Sequence, residues 1–111
     1  MPDHGLSLQQ LQIIRDILTP YAALITRVGL FGSRAKGTAR PNSDIDLVLY
    51  GPVSEAVADR LHSLFDESAL AVTVDLLVYD RIDTPPLKSH IDQVMQPLFE
   101  QAELQSAKKD A

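Results

Sequence analysis

The chain contains no cysteine, which excludes disulfides and thiolate zinc sites. It has no apolar run near the ~18 residues that a membrane-spanning helix requires. Its opening residues, MPDHGLSLQQ, lack a basic start followed by an apolar core, so no secretory signal is expected. There is no internal repeat and no low-complexity stretch. Basic residues are outnumbered, ten against fifteen acidic ones, for a formal charge of −5. That balance argues against nonspecific binding to nucleic acid or an anionic membrane as the main task. These absences lead to the expectation of a cytoplasmic protein that makes no direct use of nucleic acid or membrane. What is present is 111 residues, 45% of them hydrophobic, the size of one domain. A chain of this length buries somewhat over ~60% of its unfolded surface and folds without a covalent staple. We expect a single domain over residues 1–105 and a flexible C-terminal tail over 106–111.

The first element reads as a helix. Ser7 is placed to cap it with Gln10 as the reciprocal partner, and Leu8, Leu11, Ile14, Ile17 and Leu18 form an apolar stripe. Thr19-Pro20 ends it. Leu24 to Phe31 reads as a short buried strand that stops at Gly32-Ser33. Ser33 to Ser43 holds Gly37, Pro41 and Asn42 and reads as a turn-rich connection with room for one helical turn. Asp44 to Tyr50 is the second strand, with Ile45, Leu47 and Leu49 on one face. Gly51-Pro52 breaks it, and Pro52 suits the start of a helix whose buried side is Val53, Val57, Leu61, Leu64 and Phe65. Ala71 to Tyr79 is the third strand. A last helix is expected from about Leu87 to Met95, and Pro97 to Glu100 as a short edge strand. About a dozen turn-rich residues between strands one and two predict an antiparallel pair. A full helix between strands two and three predicts a parallel crossover. The fold class is α/β (α+β), a small mixed sheet with helices packed on it.

Three features fall between Gly32 and Asp75. Asp44 and Asp46 stand two apart on a strand, so both side chains leave the same face. Two carboxylates that close repel, and a divalent cation is the partner that makes the arrangement favourable. An isolated Asp-x-Asp is common on surface strands, so the pair gains weight only from its surroundings. Gly32-Ser33 sits where a strand gives way to a turn. Free amides, a close backbone approach and a hydroxyl there are the ingredients of a phosphate cradle, and equally of a plain strand-ending turn. Arg27, Arg34, Lys36 and Arg40 put four of the ten basic residues into an acid-free stretch, which favours an anionic ligand or a solvated loop. Asp75 stands amid Val72, Thr73, Val74, Leu76, Leu77 and Val78. An acid inside a buried strand is costly unless it pairs with an arginine or ligates a metal. If strands two and three are parallel neighbours, Asp75 joins Asp44 and Asp46 on one side of the sheet. By contrast, His4, His62 and His90 show no ligand spacing, and Tyr21, Tyr50 and Tyr79 sit at element ends, where aromatic packing with a wet hydroxyl is usual.

Gly32-Ser33, ten further residues, Asp44-x-Asp46 and a later strand aspartate form a string that resembles the nucleotidyltransferase superfamily of DNA polymerase beta. The fuller segment GSRAKGTARPNSDIDL is similar to its minimal nucleotidyltransferase (MNT) branch, the antitoxin partners of HEPN-domain toxins. The likeness covers about residues 24 to 100. Lys36 stands where the branch often has Arg, and Asn42 where Asp is common; neither is a ligand position. The resemblance implies a DNA polymerase beta-like fold in which Asp44, Asp46 and Asp75 hold two Mg²⁺ ions ~3.5–4 Å apart. It implies that Asp75 also faces the attacking hydroxyl, that Gly32 and Ser33 bind the triphosphate, and that Arg34 or Lys36 neutralises its charge. The reaction implied is transfer of AMP from ATP, or of another nucleotide from its triphosphate.

Larger members of the superfamily add domains that bind the acceptor, and this length leaves no room for one. The expectation is therefore an acceptor surface supplied by a second protein, a HEPN-domain toxin silenced by AMP transfer. Two alternatives are an antitoxin that works by occlusion alone, and nucleotidyl transfer to a small molecule with a separate substrate-binding subunit.

Overall fold

The computed structural model describes residues 5–32 and 44–109, the last four by backbone alone. Helix α1 (Leu8–Leu18) opens with the expected capping box. The Ser7 hydroxyl accepts from the Gln10 amide at 3.1 Å, and the Gln10 side chain accepts from the Ser7 amide at 2.9 Å. Both otherwise orphaned donors are thereby satisfied. Ile14 and Leu18 form its fully buried side, whereas Leu8, expected in the stripe, is 85% exposed. Leu8 lies about a third of a turn round the helix from Ile14, at the margin of the buried side. A 3₁₀ turn, Thr19–Tyr21, with Pro20 inside it, takes over where α1 stops.

Strand β1 (Arg27–Phe31) begins three residues later than expected, because residues 22–24 are a turn in which the Leu24 amide bonds the Tyr21 carbonyl. Strand β2 (Ile45–Tyr50) pairs antiparallel with it, Phe31 opposite Asp46 and Arg27 opposite Tyr50. Helix α2 (Glu55–Asp66) is capped by Ser54, whose hydroxyl accepts from the Val57 amide. Pro52 therefore precedes the helix instead of starting it. Strand β3 (Val74–Val78) is shorter than the apolar run around it and lies parallel to β2, as the intervening helix requires. A 3₁₀ turn, Tyr79–Arg81, leads to α3 (Pro85–Val94), which starts two residues early because a proline is well suited to the first helical turn. Strand β4 (Gln96–Glu100) pairs antiparallel with β1. Helix α4 (Gln101–Lys109) follows directly and runs into the segment read as tail. Among the described residues no helix is long and apolar enough to cross a membrane.

The sheet order is β3-β2-β1-β4. One face carries Val28, Leu30, Ile45, Leu47, Leu49, Val74, Leu76 and Val78. These merge with Ile14 and Leu18 of α1, Leu61 and Phe65 of α2 and Leu104 of α4 into the main core. Among the described residues, the other face is covered only in its middle. There Val48 and the α3 residue Ile91 are fully buried yet stand outside the main cluster, and a Cβ on Gly29 would run into the Met95 side chain. At one end of this second face the Tyr50 and Tyr79 rings stack 4.7 Å apart. Tyr79 donates to Asp92 of α3 at 2.7 Å, and the Lys88 ammonium sits 4.7 Å from its ring centroid. The other end, toward the start of β2, carries the aspartates.

Candidate functional site

Strand alternation decides what stands together. Val28 and Leu30 of β1 point into the core, so Phe31 points to the second face. Asp46 of β2 is its register partner, and Asp75 of β3 is in turn the register partner of Asp46. Neighbouring strands lie ~4.8 Å apart, and paired residues share a face. Phe31, Asp46 and Asp75 thus form one row across three strands. Asp46 is half-buried and Asp75 exposed. The expectation that Asp75 is an acid in a buried strand is corrected here. β3 is an edge strand of the sheet, and only its Val74, Leu76 and Val78 side is buried. No arginine neutralises Asp75 among the described residues, because the ion pairs found there are Arg27–Glu100 and Arg81–Glu55.

Gly32 closes β1 with φ +73°, the left-handed region that favours glycine. A Cβ at that position would collide with the Asp46 carboxylate. The bare backbone of Gly32 and the acid of β2 therefore share one small volume, a contact that sequence spacing alone does not reveal. Asp44 lies two residues before Asp46, immediately ahead of β2, and is exposed. Ser33, Arg34 and Lys36 lie outside the described residues, as does His4. His62 is half-buried on α2 and His90 exposed on α3.

Among the described residues, no three or more His, Cys, Asp or Glu side chains are gathered closely enough to hold a metal ion. The trio is thus an open row with Asp44 at its margin, not a closed cage. Its donor chemistry nevertheless fits one class of ion. Three carboxylates without sulfur or imidazole are the ligands of a hard cation such as Mg²⁺. Like charges in direct register repel each other.

The stacked tyrosines are the feature that sequence reading left as ordinary packing. Tyr50 has its phenol pushed above the ordinary value of 10.0, first by burial and then by the negative charge of Asp92. Tyr79 is pushed up chiefly by its hydrogen bond to Asp92. Both are therefore neutral at physiological pH, and their work is to fasten α3 to the sheet.

Comparison with known proteins bears on this geometry. A model of the nucleotidyltransferase domain matches residues 10–98. A Haemophilus influenzae protein named "Probable protein adenylyltransferase MntA" is 41% identical over 71 residues. That stretch spans 62% of this chain and 61% of the relative's length. A crystal structure of a toxin–antitoxin with AMP-PNP superimposes with a TM-score of 0.67 at 21% identity, covering 90% of this chain and 87% of that one. A mutant of the MntA–HpeT toxin–antitoxin gives 0.65 at 18% identity, over 90% and 87%. The structural matches establish the shared fold, and the domain match spans most of the sequence: the chain belongs to the nucleotidyltransferase domain family.

Proposed function

We propose that this chain transfers AMP from ATP to a hydroxyl of a HEPN-domain toxin and serves as its antitoxin. The observation that carries the reading is the row of Asp46 and Asp75 on the open sheet face, with Gly32 held at positive φ against Asp46. That is a donor pair and a bare backbone turn in one place, as phosphate chemistry with a hard cation requires. The H. influenzae relative's name, a probable protein adenylyltransferase, and the AMP-PNP in the toxin–antitoxin structure support an adenine nucleotide and a protein acceptor.

In this reading Asp44, Asp46 and Asp75 hold two Mg²⁺ ions, which when bound stabilise negative charge at the α-phosphate and lower the pKa of the attacking hydroxyl. Gly32 and Ser33 offer amides and a hydroxyl to the triphosphate, and Arg34 or Lys36 offsets its charge. Asp75 accepts the hydroxyl proton while the acceptor oxygen bonds to the α-phosphorus. The bond from that phosphorus to the oxygen bridging the β-phosphate breaks, and pyrophosphate departs. The net charge of −5 suits a basic partner.

The test is incubation with Mg²⁺, α-labelled ATP and the protein encoded by the adjacent gene. Label is expected on that protein with the wild-type chain and not with Asp44→Ala/Asp46→Ala. An unlabelled partner in both reactions rules the proposal out. Growth rescue by Asp75→Asn with an intact complex would instead assign neutralisation to occlusion.

A further inference from the structure

Among the described residues, β3 is an edge strand of the sheet. The Thr73 carbonyl accepts from the Ile45 amide at 2.9 Å, so by alternation Thr73, Asp75 and Leu77 direct their peptide groups toward β2. Val74 and Leu76 direct theirs outward. Among the described residues no strand pairs with that outward side. Alongside it lies a cavity of about 360 Å³ between β3, α2 and the start of α3. Leu76, Leu77 and Leu87 give it an apolar floor, and Glu55, Asp59 and Asp83 contribute exposed carboxylates. Arg81, on the same wall, is engaged by Glu55 at 3.3 Å. Asp75 stands on this same edge strand, exposed, one residue before the cavity-lining segment begins.

We infer that the β3 edge receives an extended basic segment of the acceptor protein as an added strand, which delivers the acceptor hydroxyl beside Asp75. This rests on the reading above that the acceptor is a protein. A strand joined to β3 would lie ~4.8 Å away, and its residue opposite Asp75 would present its side chain on the open face. Asp75 then has Asp46 on one side and the incoming hydroxyl on the other. The oxygen is thus led to the α-phosphorus, with its proton passing to Asp75 and pyrophosphate leaving. Main-chain hydrogen bonds from Val74 and Leu76 supply affinity, as in other edge-strand complexes. Basic side chains facing Asp59 and Asp83 set the orientation. A second copy of this chain is a poor occupant, because it would bring the same carboxylates against themselves.

Hydrogen exchange and labelling test this together. In the free chain the outward Leu76 amide exchanges fast and the ladder amide of Leu77 slowly. On adding the adjacent gene's product, Leu76 is expected to slow by about tenfold or more. Asp59→Lys/Asp83→Lys is expected to lower kcat/KM for that protein about tenfold with a weaker salt dependence. An unchanged melting temperature, alone and with Mg²⁺ and ATP, shows that the double variant is folded and still binds nucleotide. Unaltered Leu76 exchange with undiminished labelling overturns the edge-strand inference alone. So does protection of Leu76 by self-association without partner. Absence of labelling by the wild-type chain removes the parent reading and this inference with it.

Discussion

The carboxylate of Asp46 occupies the space that a side chain at position 32 would need, and Gly32 reaches that position with φ +73°. Two constraints thus meet at one residue. A left-handed backbone costs a non-glycine residue ~1–2 kcal/mol, and any Cβ must also push the Asp46 carboxylate out of its row. Gly32→Ala is therefore expected to be a modest stability variant and a severe activity variant. Its melting temperature should fall by several degrees, while nucleotidyl transfer drops about 100-fold, since small misplacement of a reacting group is that costly. Calorimetry and the labelling rate measure the two effects separately. Near-wild-type transfer by the alanine variant would mean that Asp46 does not need its present position.

Asp46 and Asp75 face each other across parallel strands. Like charges in register repel by ~0.2–1 kcal/mol, so neutralising Asp75 removes that repulsion. Asp75→Asn is expected to melt slightly higher than wild type in the presence of a chelator. Added Mg²⁺ should stabilise the wild-type fold, by ~2.7 kcal/mol at a hundredfold excess over Kd, and so raise its melting temperature. The asparagine variant should respond far less. The measurement is a thermal melt of both proteins across a Mg²⁺ titration. An identical Mg²⁺ response in the two would remove Asp75 from the ligand set.

Much of this arrangement is legible in the amino-acid sequence. The Ser7–Gln10 capping box, the antiparallel β1–β2 pair and the parallel β2–β3 crossover follow from local spacing and connection length, and all three are present. Alternation along Asp44-Ile45-Asp46 also fixed which side of β2 Asp46 takes. Asp75 was harder. Its apolar neighbours suggested burial, but a strand's place at the edge of a sheet is set by tertiary order and leaves no mark in its own pattern. Helix α4 was missed because only Leu104 among its described side chains is buried, so it carries almost no apolar period. Leu8 errs in the opposite direction: it stands at the margin of the α1 stripe, about a third of a turn from Ile14, and faces solvent.

The Tyr79–Asp92 hydrogen bond has a pH signature whose sign is set by the raised phenol. The folded state holds the Tyr79 proton beyond the ordinary 10.0. The stabilisation is therefore complete below that value and is lost as pH rises through the higher folded value. Tyr50, shifted in the same direction, adds to the loss. Wild-type melting temperature is expected to decline from about pH 10 upward, and Tyr79→Phe to show a lower plateau with a shallower decline. Melts between neutral pH and that alkaline limb measure the difference. Parallel curves for the two proteins would show that the bond does not couple to folding.

Ile91 offers a way to separate the support of the site from its chemistry. It is fully buried, but against the second sheet face, apart from the main core. Truncation to alanine leaves a cavity under α3 and is expected to cost ~2–5 kcal/mol. The row of Asp46 and Asp75 stands beyond the edge of α3, so transfer well below the melting temperature should persist. Leu8→Ala, at an 85% exposed position, should shift stability by less than ~0.5 kcal/mol. Urea unfolding gives both costs, and labelling at low temperature gives the activity. If Ile91→Ala lost transfer while still folded, α3 would be holding the carboxylate row in place from the middle of the sheet face, and the site would extend to that helix.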